Sequence, residues 1–198
     1  MLTSKKHKFQ KFFDVFVIPL KKTGVSANQL TLISLFMAFL FFYEMVAGSY
    51  VAAIVFLILS IFIDALDGHL ARAKGTDSVD GAYLDTVVDR YVEFIIYLSF
   101  LFIALPKIII APELWITLCI FGSLMTTYAK SAFTEKTLKN FSGGLLERAE
   151  RMLIIIIGVI LLNFDANYLV YTLIVLAILT NLSAILRISK ALKLCTRN

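Results

Sequence analysis

Long apolar stretches separated by short polar breaks account for nearly the whole chain. Runs rich in Leu, Ile, Val, Phe and Ala recur at about 28–47, 50–72, 80–105, 111–134, 144–163 and 167–190. Each is close to the ~20 residues that a helix needs to cross the hydrocarbon of a bilayer. The pattern predicts six transmembrane helices and leaves almost no chain for a soluble domain. The first 25 residues behave differently. There Phe9, Phe12, Phe13, Phe16, Val17 and Leu20 recur at helical spacing, while Lys5, Lys6, Lys8 and Lys11 supply a basic face. That spacing predicts an amphipathic helix lying on an anionic leaflet, ended or bent at Pro19. It is not a cleavable leader, because the basic residues run into KFFDVFVIPLKK rather than an uninterrupted apolar core with a small-residue cleavage site. The expected organisation is an all-α integral membrane protein, with residues 1–25 as an amphipathic juxtamembrane segment and residues 26–198 as a six-helix transmembrane domain.

Composition and charge narrow this further. The chain is 60% hydrophobic and 17% charged, with three prolines among 198 residues, which excludes both a disordered tail and an ordinary soluble domain. With six spans, Lys107 alone of the 19 Lys and Arg residues falls on the side opposite the termini. The positive-inside bias therefore places both termini in the cytoplasm. The net charge of +5 then marks a membrane surface rather than a nucleic-acid partner. Cys119 and Cys195 have no spacing for zinc or a disulfide framework, and no glycine-rich phosphate loop is present.

Against this apolar background the stretch from Asp64 to Asp89, DALDGHLARAKGTDSVDGAYLDTVVD, stands out. A carboxylate at bilayer depth costs roughly 3 kcal/mol, so several together require a strong compensating interaction. If KGTDS forms the tip of a hairpin between two helices, Asp67 and Asp85 lie equally far from Thr76, and Asp64 and Asp89 nearly so. Spacing i, i+3 puts Asp64 and Asp67 on one helix face, and i, i+4 does the same for Asp85 and Asp89. Gly68, Ala71 and Gly81 continue these faces with small residues, which predicts close backbone approach and an open pocket beside the acids. Four carboxylates in one low-dielectric site stay protonated in part or are neutralised by divalent cations. Two hard ions such as Mg²⁺ or Mn²⁺ balance four charges and suit oxygen ligands. A two-metal arrangement favours in-line displacement at phosphorus. Arg72 is placed to reach a diphosphate, and Thr76 and Ser78 to cap the following helix and offer donors to the same group.

Asp64, Asp67, Gly68, Ala71, Arg72, Gly81, Asp85 and Asp89 match the signature D-x2-D-G-x2-A-R-x8-G-x3-D-x3-D at every fixed position. On these residues the chain resembles the CDP-alcohol phosphotransferase family, whose six spans and amphipathic N-terminal helix it also shares. The resemblance implies that an alcohol attacks the β-phosphorus of a CDP-linked lipid, that the lipid phosphoryl group moves to the alcohol, and that CMP leaves. It further implies Asp64, Asp67, Asp85 and Asp89 as metal-bound acids and Asp89 as general base. Gly68, Arg72 and Ser78 then contact the cytidine diphosphate, and the enzyme is a homodimer. One departure is visible: family members often carry proline before Asn-x-x-Thr, where this chain has Ala27 in SANQLT, so Asn28 and Thr31 receive no role.

Acceptor choice turns on cations elsewhere. Lys130 in TYAKSAF, Arg148 and Arg151 in GGLLERAERM, and Arg187 in the last run lie near the cytoplasmic ends of three predicted helices. Basic residues at span ends commonly snorkel to headgroups, and Glu147 is spaced to pair with Arg151 at i, i+4. Three cations from three helices at one depth, Lys130, Arg148 and Arg187, also suit a clamp on an acceptor's phosphate beside the metal pocket. In sequence they resemble the inositol-phosphate branch of the family, comprising phosphatidylinositol phosphate synthases and their archaeal ether-lipid counterparts. The expected acceptor is therefore inositol phosphate, with glycerol phosphate as the alternative. The lipid is CDP-diacylglycerol or CDP-archaeol. A membrane prenyltransferase would carry two separate Asp-rich segments, and a divalent-cation carrier would leave Arg72 unexplained.

Overall fold

The computed structural model describes residues 13–139 and 144–196, and the chain within them is built from α-helices. In order these are residues 13–21 (α1), Ala27–Val46 (α2), Tyr50–Lys74 (α3), Val79–Ser99 (α4), Pro112–Thr137 (α5), Arg148–Leu162 (α6) and Ala166–Cys195 (α7). Helices α2 to α7 coincide with the six apolar runs. Of these, α2, α3 and α7 are long and apolar enough to cross a membrane. Helix α4 carries Asp80, Asp85, Asp89, Arg90 and Glu93, which lower its apolarity. Helix α6 has 15 residues, about 22 Å at 1.5 Å per residue, short of the hydrocarbon thickness.

Among the boundaries that differ from the apolar pattern, two have a local reason. Helix α4 stops at Ser99 and passes through a 3₁₀ turn, Phe100–Phe102, into extended Ile103, ahead of Pro106, whose ring disfavours helix in the residue before it. Helix α6 begins at Arg148 rather than near Gly144. The Leu145 and Leu146 N–H groups donate instead to Ser183 Oγ on α7, at 3.0 and 3.3 Å. Glu147 is the N-cap of α6, and its own N–H donates to the Glu150 carboxylate at 2.8 Å.

The chain forms two compact units. One combines the chain up to Tyr43 with Val55–Ile96. In it α1 packs Phe13 and Val17 against Leu30 of α2 and Leu66 and Leu70 of α3. Helix α1 continues two residues past Pro19 and then ends, with the Lys22 N–H donating to the Pro19 carbonyl at 3.1 Å. Lys74 at the end of α3 donates to the carbonyls of Thr23 and Val25, at 3.0 and 2.7 Å, and so fixes the link into α2. Phe9, Phe12 and the four lysines of the expected basic face lie outside the described residues.

The other unit combines Glu44–Ile54 with the chain from Tyr97 onward. Its α5 and α7 meet at Gly122, where any side chain would collide with Thr180 and Asn181. The close approach lets Asn181 Nδ2 donate to the Leu118 carbonyl at 2.9 Å and the Cys119 thiol to the Leu173 carbonyl at 3.3 Å.

Candidate active site

The acidic motif folds as a hairpin of α3 and α4. Helix α3 ends where Gly75 adopts φ +65°, a left-handed conformation that costs glycine little. The N–H groups of Gly75 and Thr76 close this end on the carbonyls of Arg72 and Ala71, at 3.3 and 3.1 Å. Ser78 then caps α4, its Oγ accepting from the Gly81 N–H at 3.0 Å. The tight turn brings α4 back along α3. As a result, ligand oxygens of Asp64, Asp67 and Asp85 all lie within 4.8 Å of one another. Asp67 is buried and the other two are half-buried. Three carboxylates this close repel unless protons or cations intervene, and an all-oxygen donor set suits a hard divalent ion. The residues fit such an ion. Asp89, one turn deeper on α4, is outside this trio; its Oδ2 lies 3.5 Å from Arg90, which also bonds Glu93 at 2.8 Å.

Thr31 joins the site from α2. A capping box starts that helix: the Ser26 N–H donates to Gln29 Oε1 at 2.9 Å and the Gln29 N–H to Ser26 Oγ at 3.2 Å. This sets the phase that buries Thr31, whose hydroxyl donates to Asp67 Oδ2. The bond fixes one oxygen of the most buried acid of the trio. Thr31→Val keeps the shape and removes the donor, so Mn²⁺ affinity should fall about 10- to 100-fold, as for loss of other groups that orient metal ligands. Thr31→Ser should retain it. An electron paramagnetic resonance titration with Mn²⁺ measures both; equal affinity in the Val variant would remove the orienting role.

A cavity of about 210 Å³ opens beside Asp67 and Asp85, and Gly68, Arg72 and Ser78 line it together with Asn28 and Thr31. The two glycines act differently from the expected backbone approach. A Cβ on Gly81 would stand 3.1 Å from Ser78 Oγ and 3.2 Å from Asn28 Oδ1, whereas one on Gly68 would meet only the Arg72 guanidinium, at 3.4 Å. Their missing side chains therefore make room for polar groups around the cavity rather than for another helix. His69, next in sequence to Gly68, serves packing: its ring stacks on Phe13 with centroids 4.4 Å apart, and its Nδ1 donates to the Ala65 carbonyl at 2.8 Å.

The second unit carries the other cations. Lys130 on α5 is exposed, and Arg148, the first residue of α6, is half-buried. Arg187 on α7 is buried; its Nη1 donates to the Thr126 carbonyl and its Nη2 to Glu147 Oε1, both at 2.8 Å. Thr126 lies one helical turn before Lys130 on α5, and Glu147 adjoins Arg148, so Arg187 ties together the segments that carry the other two. Glu147 thus pairs with Arg187 on α7, a partner that its spacing within α6 did not suggest. Arg151 is buried, and its Nη1 donates to the Leu146 carbonyl at 3.4 Å.

Comparison with known proteins identifies the family and the fold. The model of the CDP-alcohol phosphatidyltransferase family matches residues 24–185. The archaetidylinositol phosphate synthase of Pyrococcus horikoshii is 34% identical over 139 residues, covering 70% of this chain and 71% of that protein. The crystal structure of Mycobacterium tuberculosis phosphatidylinositol phosphate synthase with CDP-DAG bound superposes with a TM-score of 0.81 at 20% identity, over 91% of this chain and 94% of that one. The same enzyme in complex with manganese and citrate gives 0.79 at 21% identity, over 90% and 88%.

Proposed function

The chain belongs to the CDP-alcohol phosphatidyltransferase family, and on that premise we propose that it transfers the lipid phosphoryl group of a CDP-linked lipid to inositol phosphate. The observation that carries this reading is the trio Asp64, Asp67 and Asp85 gathered beside a cavity lined by Gly68, Arg72 and Ser78. Asp64, Asp67, Asp85 and Asp89 would hold two divalent cations, Mg²⁺ or Mn²⁺, which would polarise the diphosphate and neutralise charge on the departing CMP. The remaining steps belong to the chain. Arg72 and Ser78 orient the cytidine diphosphate, as a guanidinium and a helix N-terminus suit phosphate oxygens. Asp89 takes the proton of the acceptor hydroxyl as its oxygen bonds to the β-phosphorus. The bond from that phosphorus to the bridging oxygen breaks, and CMP leaves.

Lys130, Arg148 and Arg187 bind the phosphate of the acceptor. The kinship with an archaetidylinositol phosphate synthase supports inositol phosphate over glycerol phosphate. The same reading makes α2 to α7 six transmembrane spans behind an interfacial N-terminal helix. Both termini and the active site face the cytoplasm, and the enzyme works as a homodimer. The test is CMP release from CDP-diacylglycerol or CDP-archaeol in detergent, with a panel of acceptors. Release should require inositol phosphate, stop on chelation and resume with Mg²⁺ or Mn²⁺. Clear preference for glycerol phosphate would reassign the acceptor, and absence of CMP release with every acceptor would leave the cation-carrier reading.

A further inference from the structure

Resting on the assignment of Arg187 to the acceptor's phosphate, the geometry points to Glu147 as the residue that selects for phosphorylated acceptors: its carboxylate holds the place on Arg187 that a phosphate takes. The pair is unequal. The Arg187 side chain is 7% exposed and that of Glu147 is 60% exposed. A buried guanidinium requires an anion, whereas a surface carboxylate returns to water at little cost.

The fit of Glu147 on Arg187 is also incomplete. Nη1 is taken by the Thr126 carbonyl and Nη2 by one carboxylate oxygen, while the buried Nε has no acceptor among the described residues. Nε and Nη2 form one edge of the guanidinium. A phosphate monoester brings three oxygens and up to two charges to that edge, so it satisfies both donors where Glu147 satisfies one. Gly144 lies against the same edge, where a Cβ would stand 2.5 Å from Nε and 2.9 Å from Nη2. Any side chain at that position would push the guanidinium away.

Exchange asks for the movement of one side chain. The segment Gly144–Glu147 is held by main-chain bonds to Ser183 and to the Glu150 carboxylate, which stay in place when the Glu147 side chain leaves; what that side chain gives up besides Arg187 is the bond it accepts from the Glu150 N–H at the start of α6, a donor that water can satisfy. A neutral polyol brings no charge to replace that of Glu147, so it leaves the pair closed. A phosphorylated one opens it.

The experiment compares Glu147→Gln, Glu147→Asp and Arg187→Gln in the full chain purified in detergent. Inositol phosphate and inorganic phosphate are the calorimetric probes, and acceptor KM and kcat are measured alongside. Glu147→Gln should tighten both phosphates about 3- to 10-fold, as for release of one partly exposed ion pair, and lower acceptor KM by a similar factor with kcat nearly constant. Glu147→Asp keeps the charge and a good N-cap but falls one methylene short of Arg187, so it should shift binding the same way by a smaller factor. Unchanged or weaker phosphate binding in Glu147→Gln overturns the proposal and makes Glu147 a support for Arg187. If Arg187→Gln leaves phosphate binding untouched, the assignment of Arg187 to the acceptor fails, and the role of Glu147 fails with it.

Discussion

Asn at position 64, 67 or 85 is expected to lower turnover by about 100-fold or more, a loss at least as large as that from removing groups that merely orient metal ligands. Each substitution deletes one charged ligand from a trio whose oxygens lie within 4.8 Å of one another. Folding should survive, since taking one charge from three clustered carboxylates relieves repulsion in a low-dielectric setting. The check is CMP release together with Mn²⁺ binding, and thermal unfolding confirms the fold. Wild-type turnover in any of the three variants would falsify the metal assignment. Asp89→Asn should behave differently, because this residue lies outside the trio. It should keep CDP-lipid binding better than turnover; equal loss of both would remove the case for Asp89 as base.

The second large effect concerns the acceptor. Lys130→Ala and Arg148→Ala should each cut kcat/KM for a phosphorylated acceptor roughly 10- to 100-fold, since a charged hydrogen bond contributes about 1.5 to 3 kcal/mol. The loss should fall mainly on acceptor KM, with CDP-lipid binding nearly unchanged. Free inositol, a poor substrate at the outset, should lose little more. Arg187→Ala should show the same kinetic loss plus a lower unfolding temperature, because it also strips a partner from the Thr126 carbonyl and from Glu147. Normal kinetics for phosphorylated acceptors in all three variants would exclude the clamp.

The acidic hairpin was legible in the sequence because every relation it needs is local. Helical spacing puts Asp64 with Asp67, Gly75 ends α3, and Ser78 starts α4 within four residues. A turn that short fixes which acids face each other before any other part of the chain is considered. The apolar runs likewise determined the helices, since hydrophobic length is read directly from residue order. Helix ends were less legible where a distant side chain intervenes, as at Leu145 and Leu146, whose N–H groups go to Ser183.

What the tertiary structure alone decided are contacts between residues far apart in sequence. Thr31 meets Asp67 across 36 positions, and Glu147 meets Arg187 across 40. Periodicity states which face of a helix a residue occupies, but not which neighbour that face meets or how deep it sinks. Thus the spacing of Glu147 suggested only an intrahelical partner, Arg151, and it was helix packing that brought Arg187 of α7 within 2.8 Å. Which charges meet is set by how the helices pack, and that packing is a property of the whole fold rather than of residue spacing.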